Sequence, residues 1–249
     1  MAEKFQPLLF FRIINIINII NKGFILKKVI IIIFIILSFF IFKKNAKSGP
    51  VILSGGSHIP KDAVDWMKSK VKSNYLVISC DIETSSKKWL QLLDKAEFIG
   101  PEELNEKHLN YVNAIIIDGG DQWEYLKKIN RNILQKAHET GILLFGNSAG
   151  SMILSEYIFT AEHGSISSDE IEESQERIKI EKNTLNIKQL KGTLVDTHFH
   201  QRSREKRLKY FLNNCNADYG IGIDEETALC FDSEGISIKG KGSVKFLKP

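Results

Sequence analysis

The chain of 249 residues carries 34 Lys and Arg against 30 Asp and Glu, a formal net charge of +4, and 43% of its residues are hydrophobic. The first 48 residues hold eight of the basic side chains and one acid, Glu3, a balance of +7, so residues 49–249 are net −3. The basicity therefore belongs to one end. The body has no basic, aromatic-interleaved patch of the kind that binds RNA or DNA, and nucleic acid is excluded as a partner.

The N-terminal segment is defined by residues 29–42 (VIIIIFIILSFFIF), fourteen nearly unbroken apolar positions between Lys27-Lys28 and Lys43-Lys44. As a helix this stretch is about 21 Å long, short of a ~30 Å hydrocarbon core. Residues 23–26 and snorkelling lysines bring it closer. No small-x-small cleavage site follows, so an uncleaved membrane anchor is expected, with a cleaved signal or a core helix as alternatives. That reading divides the chain into an anchor over 1–48 and a globular domain over 49–249, at the membrane or exported to the cell envelope. Cys80, Cys215 and Cys230 show no metal-ligand spacing, and Cys80 and Cys230 are expected to be buried free thiols.

From residue 50 onward, strands alternate with helices. Residues 50–54 predict a strand, followed by Gly55-Gly56 and a helix over 61–71. A strand is expected over 75–80, a helix over 87–93, and strands over 96–99 and 112–117. Trp123, Leu126, Ile129, Ile133, Leu134 and Ala137 recur at helical spacing and predict one amphipathic stretch over 123–139, packed on the core. Residues 142–146 read as a buried strand, 192–195 as another, and 205–212 as a helix. The C-terminal runs 228–231, 236–239 and 244–247 read as antiparallel strands. Between them, residues 163–177 form a polar, acidic stretch, a solvated loop that could cover a site. Strands joined by single helices predict an α/β fold, a doubly wound, mostly parallel sheet whose ligands gather at the carboxyl ends of the strands.

Chemistry concentrates in Gly146-Asn147-Ser148-Ala149-Gly150. A G-x-S-x-G between a strand and a helix places the serine hydroxyl on a tight corner beside a helix N-terminus. Gly119-Gly120-Asp121-Gln122 also follows a strand, so both turns should share one crevice. A third cluster, Asp196-Thr197-His198-Phe199-His200-Gln201-Arg202-Ser203-Arg204, leaves the strand over 192–195. His198 is the candidate base for Ser148, because a hydroxyl needs a nearby imidazole to become a nucleophile. His198 and His200, two residues apart, lack the spacing of a helical zinc site, and no metal or cofactor is implied.

These segments, with Ile221-Gly222-Ile223-Asp224-Glu225-Glu226-Thr227-Ala228-Leu229, resemble the cyanophycinase-like serine peptidases of family S51, in the family's order and over essentially residues 50–247. The resemblance implies the class I glutamine amidotransferase-like fold, with Ser148 as nucleophile and His198 as base. It also implies an acid in the loop after the serine helix that orients the histidine, for which Glu162 is the choice and Asp169 and Glu170 the alternatives. The N–H groups of Gly120 and Ala149 are suited to an oxyanion. Gln122, Asp196, Arg202, Arg204 and Arg207 match positions that hold substrate in the family. Thr197 departs from the usual glutamine beside the catalytic histidine, which bears on substrate choice more than on catalysis. An α/β-hydrolase also uses this elbow, but the short separation of Ser148 and His198 and the small sheet disfavour it.

The expected activity is hydrolysis of β-aspartyl-arginine polymer or related aspartyl peptides. Two alternatives stand beside it: an exopeptidase of the dipeptidase E kind for small Asp-containing peptides, and a catalytically silent, membrane-tethered binding domain. A peptide substrate and the membrane are the expected partners, and a homodimer is left open.

Overall fold

The computed structural model describes residues 48–249. The proposed anchor over residues 1–48 lies outside the described residues, apart from its last position. Among the described residues, no helix is long and apolar enough to cross a membrane.

The first half lays down β1 (Val51–Ser54), α1 (Lys61–Lys70), β2 (Tyr75–Ile78), α2 (Ile82–Trp89), β3 (Glu97–Ile99), β4 (Ala114–Ile117), α3 (Gln122–Lys128) and α4 (Arg131–Glu139). It ends with β5 (Leu143–Asn147) and α5 (Ala149–Leu154). The second half holds β6 (Tyr157–Phe159), β7 (Ile180–Lys182), β8 (Thr193–Thr197), α6 (Glu205–Asn213), β9 (Tyr219–Ile223), β10 (Thr227–Asp232), β11 (Gly235–Gly240) and β12 (Val244–Leu247).

A seven-stranded sheet runs β11-β10-β1-β5-β4-β2-β3. Its strands from β1 to β3 are parallel, and β10 and β11 add an antiparallel edge beside β1. Both faces are covered, which is why the parallel strands read as unbroken apolar runs. Val51, Leu53, Leu76, Ile78, Ile115 and Ile117 pack on one face with side chains of α3, α4 and α5. The alternate residues Ile52, Val77, Ile116 and Phe145 pack on the other with α1 and α2. The mixed, mostly parallel sheet is the architecture that the alternating pattern predicts.

A second, five-stranded sheet, β12-β9-β8-β6-β7, was not distinguished in the sequence. The C-terminal strands are antiparallel, as expected, but they part company. β10 and β11 complete the first sheet, whereas β12 pairs with β9 in the second. Val195, Ile221 and Ile223 of the second sheet join the core that includes α5, so the two sheets meet beneath that helix. On its far side, Phe159, Leu194 and Phe199 pack with Leu208, Phe211 and Leu212 of α6.

Local chemistry accounts for the other departures. The stretch over 123–139 is two helices, because Ile129 is extended and the Asn130 side chain accepts from Asn132 N to start α4. Helix α2 begins earlier than expected, because Asp81 caps it by accepting from Thr84 N. Of the thiols, Cys230 is buried, but Cys80 is exposed and Cys215 half-buried, since β2 ends before Cys80 reaches the interior.

Candidate active site

Three turns meet at the carboxyl ends of β1, β4 and β5. Ser148 sits between β5 and α5 with φ 50° and ψ −114°, backbone angles that a non-glycine residue holds only when its surroundings impose them. The flanking glycines make room for this. A Cβ on Gly150 would lie 2.0 Å from Ile117 O, and one on Gly146 would lie 2.5 Å from Ser151 N. Ser148 N in turn donates to Ser54 O at 2.9 Å, which ties the corner to the end of β1.

His198 follows the last residue of β8, also at positive φ (50°), and its backbone N donates to Gly55 O at 2.9 Å. Its Nε2 accepts from Ser148 Oγ at 2.8 Å, and its Nδ1 donates to Glu225 Oε1 at 2.6 Å. A carboxylate on Nδ1 fixes the proton there and leaves Nε2 free to accept. Burial lowers His198 below its ordinary value; the Glu225 hydrogen bond pulls the other way, and Arg202 and Arg204 add to the lowering. The imidazole is therefore neutral at neutral pH, the state a general base requires.

The acid facing His198 is Glu225, not Glu162. Glu162 pairs instead with Lys179 Nζ at 2.9 Å, and Lys179 also lies over the Trp123 ring. The pair thus ties together the two ends of the acidic loop, and Lys179 lays that junction against α3. Of the alternatives, Glu170 accepts from Ser167 N within that loop, and Asp169 is exposed. Glu225 lies in the turn between β9 and β10, where the chain crosses from one sheet to the other. Its sequence signal is the Ile221–Leu229 segment that carries the resemblance, where an Asp-Glu pair directly follows a Gly-rich strand.

A cavity of about 360 Å³ opens beside Ser148 and His198. Gly120, Gln122, Ala149, Thr197, Arg202, Arg204 and Arg207 all line it. Gly164 and Ser165 of the acidic stretch form one wall. Gly120 (φ 154°) and Ala149, the first residue of α5, line the same cavity as Ser148.

The other residues of these motifs differ in their surroundings. Asp196 is fully buried and does not line the cavity; it is the counter-ion of its arginines. Arg207 clasps it with Nε on Oδ2 at 2.9 Å and Nη2 on Oδ1 at 2.5 Å, and Arg204 Nη1 adds a bond at 3.1 Å. A fully buried carboxylate clasped by two guanidiniums is closed off from the cavity. Arg207 Nη1 also donates to Ile166 O, which secures the acidic stretch. Gln122 Nε2 donates to Phe159 O. Thr197 Oγ1 points at Met152 Sδ, 3.5 Å away. Arg202, exposed at the rim, is the one lining guanidinium with no carboxylate partner among the described residues.

Sequence reasoning passed over Gly56. Its φ is 99°, and a Cβ there would sit 2.4 Å from His198 Cε1, 2.5 Å from Nε2 and 3.1 Å from Ser148 Cβ. Only a hydrogen fits between the β1 turn and the Ser–His pair. A glycine pair closing a buried strand, as at Gly119-Gly120, was the available signal. Among the described residues, no group of three or more His, Cys, Asp and Glu is placed to hold a metal.

A Ser–His–Glu relay at a strand-turn-helix corner of a parallel sheet is a site of the serine-hydrolase type. The model of peptidase family S51 matches residues 97–239, and the chain belongs to that family. It is 27% identical to the cyanophycinase of Geminocystis herdmanii over 70% of this chain and 62% of that protein. It is 32% identical to the cyanophycinase of Synechococcus elongatus over 57% of this chain and 43% of that protein. The chain thus spans less than two thirds of the length of these relatives. Among solved structures, a peptidase from an acI-B1 Actinobacterium superposes with a TM-score of 0.59 at 20% identity, covering 82% of this chain and 92% of that one, and shares the fold.

Two expectations follow from the geometry. Gly56→Ala should lower kcat on the order of 10²-fold, because a methyl group displaces the imidazole from the serine hydroxyl. Wild-type turnover by a folded Gly56→Ala protein would show that this close approach is dispensable. In the pH profile, kcat/KM should rise along a limb centred below 6.5, since His198 is lowered from that value and must be neutral to act. Glu225→Gln should move the limb lower still, and Arg202→Ala should move it up. Opposite shifts in profiles measured on the three proteins would contradict this assignment of charges.

Proposed function

We propose that the protein is a serine peptidase that cleaves small aspartyl peptides, with β-aspartyl-arginine units of the cyanophycin type as the leading substrate class. The observation that carries this reading is the continuous Ser148–His198–Glu225 relay, with bonds of 2.8 and 2.6 Å, opening on an arginine-rich cavity. Ser148 Oγ attacks the scissile carbonyl carbon while His198 Nε2 takes its proton. The oxyanion is received by Gly120 N–H and Ala149 N–H. His198 then returns the proton to the leaving amine, and water repeats the sequence on the acyl-enzyme. Glu225, bonded to Nδ1, orients the imidazole and stabilises the imidazolium.

Substrate preference rests on charge. Asp196 neutralises only part of the charge of Arg204 and Arg207, and Arg202 has no such partner, so the cavity carries a positive excess suited to a substrate carboxylate. A second reading, a dipeptidase for small Asp-containing peptides, is favoured by Thr197. Its hydroxyl is directed at Met152 Sδ, so this wall offers substrate a smooth surface where the family's usual glutamine would offer an amide. A catalytically silent binding domain is disfavoured, because binding alone does not need a strained serine within bonding distance of a neutral imidazole.

Ser148→Ala should abolish hydrolysis of aspartyl peptides and labelling by a fluorophosphonate while the protein stays folded. Arg202→Ala should raise KM roughly tenfold with little change in kcat, the signature of a contact present in both ground and transition states. Residual turnover of more than a few per cent of wild type in Ser148→Ala would remove the nucleophile assignment. We further infer from the apolar run over residues 29–42 that the full chain is membrane-attached. It should fractionate with membranes, and recovery of the unprocessed chain entirely in the soluble fraction would refute this.

A further inference from the structure

Behind the cavity wall lies a polar cluster that the reaction as described does not use. Asp118, 1% exposed, follows β4 and directly precedes Gly119-Gly120. Its Oδ1 accepts from Lys88 Nζ of α2 at 2.5 Å and from Asn147 Nδ2 at 2.8 Å, and its Oδ2 accepts from Ser85 Oγ at 2.5 Å. Burial alone would raise the Asp118 carboxyl; the Lys88 ammonium and the donors of Ser85 and Asn147 outweigh it and hold it below the usual range.

The position of the Asn147 bond gives it meaning. β4 and β5 are neighbours whose ladder ends at Ile117↔Gly146. Beyond that pair, Asp118 N bonds outward to Ile78 O of β2, and Asn147 pairs outward with Ser54 of β1. The two turns that follow therefore leave the sheet without a backbone bond to each other, although a Cβ on Gly119 would be only 3.5 Å from Ser148 Cβ. The Asp118–Asn147 side-chain bond bridges the strands where the ladder stops, one residue before each turn.

We propose that Asp118, anchored by Lys88, is a positioning residue that sets the distance between the Gly119–Gly120 turn and the Ser148 corner through its bond to Asn147. The inference rests on the reading of Ser148 as nucleophile and Gly120 as oxyanion donor. Donors must face the place where charge develops to well under an ångström, so a bond that fixes their spacing acts on the chemical step and not on substrate affinity. A buried ion pair with a purely structural role would change stability and leave the reactivity of the folded protein untouched.

Saturation kinetics of Ser148 labelling by a fluorophosphonate separate these roles without requiring the natural substrate. Asn147→Ala removes the bridge but leaves the Lys88–Asp118 pair in place, so it reports even if Asp118→Ala fails to fold. In Asn147→Ala and in folded Asp118→Ala, the maximal labelling rate should fall about 10- to 100-fold while the half-saturating concentration stays within about twofold. The double variant should be no slower than the slower single one, since both remove one bond. Asp118→Asn, whose side-chain oxygen still accepts from Asn147, should recover most of the rate with a lower thermal midpoint. Wild-type labelling of Asn147→Ala, a loss confined to half-saturation, or losses that add in the double variant would overturn the proposal. Failure of the wild-type protein itself to label would instead bring down the serine reading, and this inference with it.

Discussion

The whole site depends on the backbone of one short turn, Ser54-Gly55-Gly56, at the end of β1. Ser54 O accepts from Ser148 N and from Ser151 Oγ, Gly55 O accepts from His198 N, and Gly56 O accepts from Glu226 N. One carbonyl thus holds the nucleophile's corner in the first sheet, the next holds the base at the end of the second, and the third holds the turn carrying the acid. Backbone carbonyls cannot rotate independently of the chain, and this chain is fixed between β5 and β10 on either side. The relay is consequently rigid to the extent that the central strand is rigid. The same turn must also pass within van der Waals distance of the imidazole, which is what restricts Gly56 to glycine.

Legibility in the sequence followed the range of the interactions. The elbow at Ser148 is local: its strand, its glycines and its helix lie within a dozen residues, so the pattern announces the geometry. His198 is likewise announced by the strand before it and the arginines after it. Glu225 is not, because its approach to His198 depends on β8 and β9 being parallel neighbours, a pairing that no spacing in the chain encodes. Glu162 lies in the loop after the serine helix, near the serine in sequence; in space its carboxylate pairs with Lys179 instead. The break at Asn130 is masked by apolar positions that keep helical spacing across it. The second sheet escaped notice because β6 and β7 are three residues each, too short to show a period.

Asp196 shows why matching a residue to a binding motif leaves its role open. The aspartate and the arginines are where the motif places them, yet the carboxylate contacts no cavity. Removing it would leave two guanidiniums facing each other without water, a change far more costly than the loss of one hydrogen bond. Burial among these charges already lowers Arg204 to about 10. The aspartate is therefore the condition for keeping two cations in a partly buried wall, and Arg202 is the lining guanidinium that it does not neutralise.

These ion networks also account for the backbone strain. Ser148, His198 and Glu226 are non-glycine residues at positive φ, all within the small region that β1 organises. Such conformations cost on the order of 1–3 kcal/mol each and persist only where the surroundings over-determine them. Here they do. Asp224, beside the acid, accepts from His200 N, His200 Nδ1, Ser243 N and Ser243 Oγ, while Gln201 Oε1 accepts from Glu225 N. The loop after His198 and the turn around Glu225 are bonded to each other as well as to β1, so neither can relax alone. A serine corner held by β1 and Asn147, facing a histidine and an acid held by each other's loops, keeps its reactive geometry before any substrate arrives. Binding energy from a substrate then remains available for the chemistry rather than for assembling the site.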